Sequence, residues 1–323
     1  MQTFARYLPA EITYTGTFLL LMTGLSVWFD LPIISPSLSG VVAAGIHYLA
    51  PVLAMLVWVA TVATARREHN LSTVVLAFPC YALVLWVHFN IKLWVPLINP
   101  INYDQFLWTT DEALRPLVDL CIFLRQAIGY VLPNDRNLYL FGFIAMFYMS
   151  FCYHGLFTPK VFRKLFLSAL LLQIFGTIGY VLMPAVGPFL YEPGANPLIT
   201  GAQGNMLDIH ERLLAGGTDW LSQHGTGVLF AGLGAMPSLH AGSSFLFLWF
   251  AIRHGRPLLS VYIPIFGYIL VTAVGNRWHY LLDLPVGIAL AASAIYLAGL
   301  ADALRESPIE ATESACPSPR SAN

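Results

Sequence analysis

The amino-acid sequence predicts an all-α, polytopic membrane protein. Of its 323 residues, 57% are hydrophobic and 10% are charged, whereas about a quarter of the residues in an ordinary globular domain are charged. A helix needs about 20 largely apolar residues to cross a bilayer. Apolar segments of about this length predict a bundle of about eight transmembrane helices, with the sixth and seventh short. They cover residues 14–34, 41–64, 72–97, 137–157, 162–183, 238–253, 258–275 and 278–302.

The first apolar segment is expected to be a retained helix. It follows Arg6 and Glu11, and no small-residue cleavage site comes after it. A secretory signal peptide would combine a basic start with such a cleavage site.

The connection over residues 104–128 is predicted to form amphipathic helices along the membrane interface. Its apolar residues follow a helical spacing, and it carries Asp104, Asp111 and Asp119 among them. A helix with one polar and one apolar face can lie in the plane of the interface. The three aspartates are expected to form its solvated face.

The chain is expected to divide into three parts. Residues 1–136 would hold N-terminal transmembrane helices and the outer amphipathic segment, and residues 137–305 the catalytic membrane core. The last 18 residues, 306–323, are polar and predict a disordered cytoplasmic tail. Within the core, residues 190–205 are rich in Gly, Pro and Asn and predict a loop. Residues 206–225 predict one further helix, which ends at Gly216.

The positions of lysine and arginine predict the orientation of the helices. These residues concentrate in alternate connections, and basic connections stay on the cytoplasmic side. Both termini are therefore expected to be cytoplasmic, and His240, His279 and Asp283 to lie at the outer ends of their helices. The basic residues in these alternate connections are Arg6, Arg66, Arg67, Lys160, Arg163, Lys164, Arg253, Arg256 and Arg305.

Charge and cysteine content exclude several classes of function. The net charge is −1 and no cluster of basic residues occurs, so a nucleic-acid partner is not expected. The four cysteines form no C-x-x-C pair, which predicts neither a disulfide framework nor a zinc site. No cofactor and no metal ligand set is expected.

Two stretches contain the residues that indicate a catalytic site. "GAMPSLHAGSS" (234–244) contains His240, and "NRWHYLLDLPVG" (276–287) contains His279 and Asp283. If residues 278–302 are helical throughout, His279 and Asp283 share one face at i and i+4, and the carboxylate accepts the imidazole N–H. Such a carboxylate orients the ring and makes its other nitrogen a base or nucleophile. The pattern therefore predicts His279 as the nucleophile and His240 as the proton donor to the leaving group.

The surroundings of His240 predict a phosphate-binding seat. Ser238 and Gly242, with Ser243 and Ser244, would bring hydroxyl groups and accessible backbone N–H groups to a helix N-terminus. Transferring phosphates also need fixed positive charge, and Lys92 and Arg277 are the candidates.

Each of these residues also has an ordinary interpretation. Lys92 could extend to the interface, Arg277 could anchor a lipid headgroup, and Gly242 could serve close helix packing. His47, His88 and His154 are interpreted as hydrogen-bonded packing residues.

"GAMPSLHAG" followed by "HYLLDLPVG" resembles the second and third motifs of the type 2 phosphatidic acid phosphatase superfamily. The resemblance implies a six-helix phosphatase core and a metal-independent enzyme that works through a phosphohistidine. It assigns general-acid catalysis to His240 and nucleophilic attack to His279, which Asp283 supports. Phospholipids or lipid phosphates in the membrane are the substrates that it implies.

The sequence also departs from the commoner phosphatases of that superfamily. Thr272 and Ala273 stand where those enzymes have Ser-Arg before the nucleophile, and Trp108 stands where a lysine precedes the Arg-Pro pair at 115–116. A His-Tyr motif without this arginine is similar to the inositol phosphorylceramide synthase and sphingomyelin synthase branch. That similarity implies transfer of a phospho-headgroup to a lipid alcohol rather than to water.

Three alternatives stay open at this point. The first is a lipid phosphate or pyrophosphate phosphatase with the same mechanism. The second is a transporter that uses Lys92, His279 and Asp283 as a proton or ion relay, which predicts polar residues along the whole path. The third, a metal-dependent enzyme, would need a fuller set of histidine ligands. The oligomeric state stays open as well.

Overall fold

The chain forms a bundle of α-helices. The computed structural model describes residues 9–36, 71–132, 138–194, 197–231 and 234–306. Within these ranges it has ten α-helices and no strand, which confirms the predicted all-α class there. The helices are α1 Ala10–Phe29, α2 Leu71–Ile98, α3 Asp104–Ala113, α4 Arg115–Val131, α5 Leu138–Phe157, α6 Pro159–Leu182, α7 Pro197–Val228, α8 Leu239–His254, α9 Leu259–Gly275 and α10 Asp283–Glu306.

Six helical stretches of the described ranges are long and apolar enough to cross a membrane, which indicates an integral membrane protein. The predicted span 41–64 lies outside the described residues. The predicted span 238–253 is α8, which has 16 residues and so a length of about 24 Å, less than the roughly 30 Å of a bilayer core. A total of eight spans stays a prediction. The six stretches are Ala10–Phe29, Pro79–Ile98, Leu138–Phe157, Pro159–Leu182, Arg256–Gly275 and Asp283–Ala301.

Helices α6 and α8 occupy the centre of the bundle. Helix α6 packs against α1, α2, α5, α8 and α10, and α8 packs against α5, α6, α9 and α10. Apolar side chains such as Leu165, Leu167 and Leu170 are completely buried in α6. The short α8 is therefore surrounded by protein, and its residues are positioned by neighbouring helices.

Two glycines let α8 and α10 approach closely. A Cβ atom added to Gly242 would lie 2.6 Å from the carbonyl oxygen of Gly287, and one added to Gly287 would collide with the carbonyl oxygen of Ser238. At the same point the Ser238 N–H donates to the carbonyl oxygen of Asp283, at 3.1 Å. The beginnings of the two helices are therefore fixed to each other, and the two stretches singled out in the sequence meet.

Two predicted boundaries are wrong. Residues 197–205 are not a loop, because α7 begins at Pro197, and proline is well suited to a first helical turn. This helix is interrupted at Gly217, whose φ is 56° and ψ −141°. Helix α10 begins at Asp283 rather than at residue 278. Pro285 lacks an N–H group and fits only the first turn of a helix, so the preceding residues form a loop.

Candidate active site

His279 lies in the 276–282 loop between α9 and α10, with its ring held in one orientation. Its Nδ1 atom is 2.8 Å from the carbonyl oxygen of Ala235 and 3.1 Å from Oδ2 of Asp283. A carbonyl oxygen can only accept a hydrogen bond, so Nδ1 carries the proton and donates to both oxygens. The other ring nitrogen, Nε2, is then left with its lone pair, as a nucleophile requires.

Asp283 connects this ring to the backbone of the loop. Its Oδ2 atom also accepts from the N–H of Tyr280, at 2.9 Å, and its side chain is completely buried. The expected pairing of His279 with Asp283 is therefore present. It arises because the loop folds back onto the first residue of α10, and not because both residues lie on one helix.

His240 lies in the first turn of α8 and is held by aromatic rings. The centroid of its ring is 4.7 Å from that of Phe143 and 5.2 Å from that of Tyr139. Within the described ranges its ring nitrogens have no hydrogen-bond partner. It lies within electrostatic range of His279 and of Lys92. The two histidines predicted to act together therefore belong to one end of the bundle.

Ser238 and Gly242 stabilise the beginning of α8. The Ser238 side chain is completely buried and is the N-cap, and its Oγ accepts from the N–H of Ala241 at 3.4 Å. The N–H of Gly242 donates to the Ser238 carbonyl oxygen at 3.0 Å, and its α-carbon faces Gly287. The structure thus gives Gly242 a packing role, which was the ordinary interpretation of this residue.

Arg277 is buried and paired with carboxylates from two other segments. Its Nη1 lies 3.2 Å from Oδ2 of Asp111, and its Nε lies 3.2 Å from Oε2 of Glu192 without hydrogen-bond alignment. The guanidinium also covers the ring of Trp108, 5.4 Å from its centroid. Its Nη2 has no hydrogen-bond partner among the described residues. Most of this positive charge is therefore used to hold the 276–282 loop.

Two aspartates of α3 fix the same loop, and the prediction that they face solvent is wrong. Asp104 and Asp111 are each 1% exposed. Oδ1 of Asp104 accepts from the hydroxyl of Tyr280 at 2.7 Å and from the Gly187 N–H at 2.9 Å. Oδ1 of Asp111 accepts from the Leu281 N–H at 2.8 Å. Helix α3 therefore packs its carboxylates against the loop that carries His279.

A sequence signal existed for the burial of these two aspartates, although not for their partners. The buried residues of α3 are Asp104, Leu107 and Asp111, which follow the i, i+3, i+7 spacing of a buried helix face. The two aspartates thus lie on the face of the apolar residue, whereas the side chain of Asp119 is 56% exposed, as predicted. Burial raises the pKa of the Asp111 carboxyl, although the Leu281 N–H and the Arg277 guanidinium act in the opposite direction.

The first residue of the loop is held from two further helices. Nε of Arg125, on α4, donates to Oδ1 of Asn276 at 3.0 Å, and Nε2 of Gln203, on α7, donates to the Asn276 carbonyl oxygen at 2.9 Å. The loop is therefore bonded by side chains of α3, α4 and α7. None of these contacts was predicted from the sequence.

Residues 137–297, the PAP2 region, match the family model of the PAP2 superfamily. They make up just under half of the chain, and over them the chain is similar to that superfamily. This similarity supports a phosphatase- or phosphotransferase-type enzyme that acts on lipid phosphates. The comparisons with curated proteins and with solved structures give no match, and the synthase branch inferred from the motifs stays a prediction.

The PAP2 region contains His240, His279 and Asp283, but the site extends beyond it. Asp104, Asp111 and Lys92 precede the matched residues. The predicted division into an outer segment, 1–136, and a catalytic core, 137–305, thus separates residues that are in contact in the structure.

Lys92 lies on α2, next to the PAP2 region. Its Nζ is 4.8 Å from the centroid of the Tyr180 ring, and its side chain lines a cavity of about 140 Å³. His88, one turn away, donates from Nδ1 to Oγ1 of Thr177 at 2.7 Å, because that hydroxyl itself donates to the Gln173 carbonyl oxygen. His88 therefore fits the packing role expected of it, whereas Lys92 faces open space.

Of the other two histidines interpreted as packing residues, the structure describes one. His154 is completely buried and bonds through Nδ1 to Oγ1 of Thr158, at 2.6 Å. His47 lies outside the described residues.

Proposed function

We propose that this protein is an integral membrane phosphotransferase that moves a phosphoryl group or phospho-headgroup between lipids through a phosphohistidine at His279. The observation that carries the proposal is the double hydrogen bond from Nδ1 of His279 to Ala235 and Asp283. This arrangement leaves Nε2 as the only ring nitrogen able to attack phosphorus.

The reaction proceeds in two steps. In the first, Nε2 of His279 attacks the phosphorus, the bond from phosphorus to the leaving oxygen breaks, and His240 gives that oxygen a proton. In the second, a lipid alcohol attacks the phosphohistidine and gives its proton to His240, and the P–N bond breaks. Asp283 stabilises the positive imidazole of the intermediate, as the carboxylate does in serine hydrolase triads. Each proton that leaves His240 is thereby returned.

The transferring phosphate needs positive and hydrogen-bonding groups around it. We assign these to the unpaired Nη2 of Arg277 and to the beginning of α8 at Ser238. Lys92 is left out, because its side chain lines a cavity that neither histidine lines. Gly242 is left out, because its N–H and its α-carbon are used inside the bundle.

We further propose that the site faces the outer leaflet and that both termini are cytoplasmic. The basic residues Lys160, Arg163 and Lys164 begin α6, and Arg253 ends α8, at the end of each helix that is remote from the histidines. Basic residues favour the cytoplasmic side, which supports this orientation.

Hydrolysis by the same residues is the alternative, with water in place of the alcohol. A transporter is supported less well, because Lys92, His279 and Asp283 cluster at one end of the bundle instead of following a path through it.

The test uses the purified protein in detergent with chelator and a lipid donor labelled at phosphorus. We expect wild-type protein to acquire an acid-labile, alkali-stable label and His279→Ala to acquire none and lose turnover. His224→Ala is the matched control, because His224 is an exposed histidine on α7. Unchanged turnover in His279→Ala would rule out the mechanism.

The labelled protein also identifies the acceptor. Release of labelled lipid only when diacylglycerol is added supports transfer. Release of labelled inorganic phosphate, or of a labelled water-soluble phospho-headgroup, in its absence supports hydrolysis.

A further inference from the structure

A cavity of about 140 Å³ lies beside the two histidines without including them. It is bounded by the outer part of α2, the end of α6, the loop after α6 and one side of α7. A single water needs roughly 10–15 Å³ of such space, so the cavity has room for a polar group of several atoms. Because neither His240 nor His279 lines it, a group bound there is not the group that is attacked.

Among the described residues, no carboxylate compensates the charge of Lys92 in this cavity. Its ammonium group forms no ion pair with any of them and instead lies 4.8 Å from the centroid of the Tyr180 ring. A cation within a membrane helix is costly unless it is paired or hydrated. The cavity therefore favours a negatively charged occupant.

His210 lines the same cavity from α7. Burial lowers the pKa of this histidine, against the effect of Asp104 and Glu211, and its ring carries an N–H donor in either protonation state. The rim is apolar and accessible, since Ile101 is 57% and Leu214 53% exposed. A mostly apolar cavity that contains one ammonium group and one imidazole suits the charged group of a lipid whose chains remain outside.

The cavity is joined to the site by a short stretch of backbone. Gly234 lines it with a φ of +101°, and a Cβ atom there would lie 3.1 Å from the Tyr180 ring and 3.6 Å from Cε of Lys92. The next residue, Ala235, holds the ring of His279 through its carbonyl oxygen. A substrate group in the cavity thus lies one residue along the chain from the carbonyl group that orients His279.

We propose that this cavity binds a second anionic group of the lipid substrate, beyond the phosphate that is attacked. The inference rests on the proposed function. The shared chemistry is a second negative charge near the reacting phosphorus, which a lipid diphosphate or a phosphodiester with an acidic headgroup supplies. Lys92 neutralises this charge, and His210 donates a hydrogen bond to it.

The experiment compares matched lipids with the purified full-length protein. One arm uses diacylglycerol diphosphate against phosphatidic acid, and the other uses phosphatidylserine against phosphatidylethanolamine. We expect kcat/KM to favour the more anionic lipid about tenfold in at least one arm, which identifies the source of the charge. No preference in either arm would overturn the proposal.

Charge changes at the rim test the cavity without disturbing the core. Leu214 is half-exposed and lines the cavity, and a charge placed there alters the preference several-fold through its Coulomb interaction with a bound anion. We expect Leu214→Lys to raise the preference about threefold and Leu214→Glu to lower it about threefold. His210→Gln should reduce the ratio of the two kcat/KM values towards one, whereas His224→Gln should leave this ratio unchanged.

Equal effects of the two Leu214 substitutions would overturn the cavity proposal alone. Failure of the proposed function has a different signature, because turnover in both arms would then survive His279→Ala.

Discussion

The two histidines of the site are held in different ways. The ring of His279 donates two hydrogen bonds, and the loop around it is bonded at Asn276, Tyr280 and Leu281 by side chains from three helices. The ring of His240 is flanked by two aromatic rings and makes no hydrogen bond to any residue that the structure describes. The first histidine is fixed by polar contacts and the second only by packing.

This difference agrees with the proposed roles. A nucleophile must present one lone pair along one line to phosphorus, so a fixed orientation lowers the barrier. A general acid that later becomes a base must serve two oxygens in turn. Aromatic contacts leave its ring some freedom to turn. The comparison predicts that changes around His279 cost more than changes around His240.

The largest effect is expected for Asp283→Asn. In serine hydrolase triads the equivalent change costs about 10⁴-fold in kcat because the wrong tautomer forms. Here Ala235 also accepts from Nδ1 of His279 and retains part of the correct tautomer. We therefore expect a loss of about 10²- to 10³-fold, measured as the initial rate with one lipid donor.

The matched control is Asp208→Asn, since Asp208 pairs with Arg212 on the exposed surface of α7. A loss of less than tenfold in Asp283→Asn would show that the carbonyl oxygen alone orients the nucleophile.

The next effect is expected for Asp111→Asn. The amide can still accept from Leu281, but the buried Arg277 loses an ion pair, and breaking a buried pair costs about 3–5 kcal/mol. We expect kcat to fall about tenfold to a hundredfold with KM within about threefold, because the substitution displaces the loop without touching substrate.

Asp119→Asn is the control, because its carboxylate is 56% exposed and the side chain of its partner Arg115 is 34% exposed, and pairs at the surface contribute at most about 1 kcal/mol. A parallel thermal-unfolding curve separates loss of fold from loss of positioning. A rise in KM with unchanged kcat would instead indicate that Asp111 acts in substrate binding.

The sequence predicted the helical class and the position of both histidine stretches at one end of the bundle, because both depend on local signals. Apolar length gives the membrane helices, and the histidine stretches begin two helices whose ends lie at one level. The meeting of Ser238 with Asp283 follows from the two glycines that let α8 and α10 touch. Spacing along the chain was enough for these features.

The polar framework around the loop could not be predicted in the same way. Asp104 and Asp111 are charged, and charged residues of an amphipathic helix are normally assigned to solvent. They are buried because Tyr280, Leu281 and Arg277 supply donors from a segment about 170 residues away. No local pattern identifies such partners, so their role appears only in three dimensions.

A smaller effect is expected for Tyr280→Phe. The hydroxyl donates to Asp104, and its loss leaves that carboxylate with its two backbone donors from Val186 and Gly187. A buried hydrogen bond of this kind contributes about 1–3 kcal/mol. We expect kcat to fall about threefold to tenfold. Tyr191→Phe, which removes an exposed hydroxyl 3.3 Å from Gln105, should have no measurable effect.

The smallest effect is expected for Phe143→Leu, on the side of His240. The substitution removes one of two aromatic contacts to the histidine ring, and such a contact contributes about 0.5–1.5 kcal/mol. We expect turnover to fall no more than about fivefold, with the yield of phosphohistidine unchanged, because His279 keeps its own hydrogen bonds. Phe123→Leu, at a 65% exposed phenylalanine of α4, is the control. If Phe143→Leu instead lowers turnover as much as Asp111→Asn, His240 also depends on a fixed orientation, and the proposed difference between the two histidines is wrong.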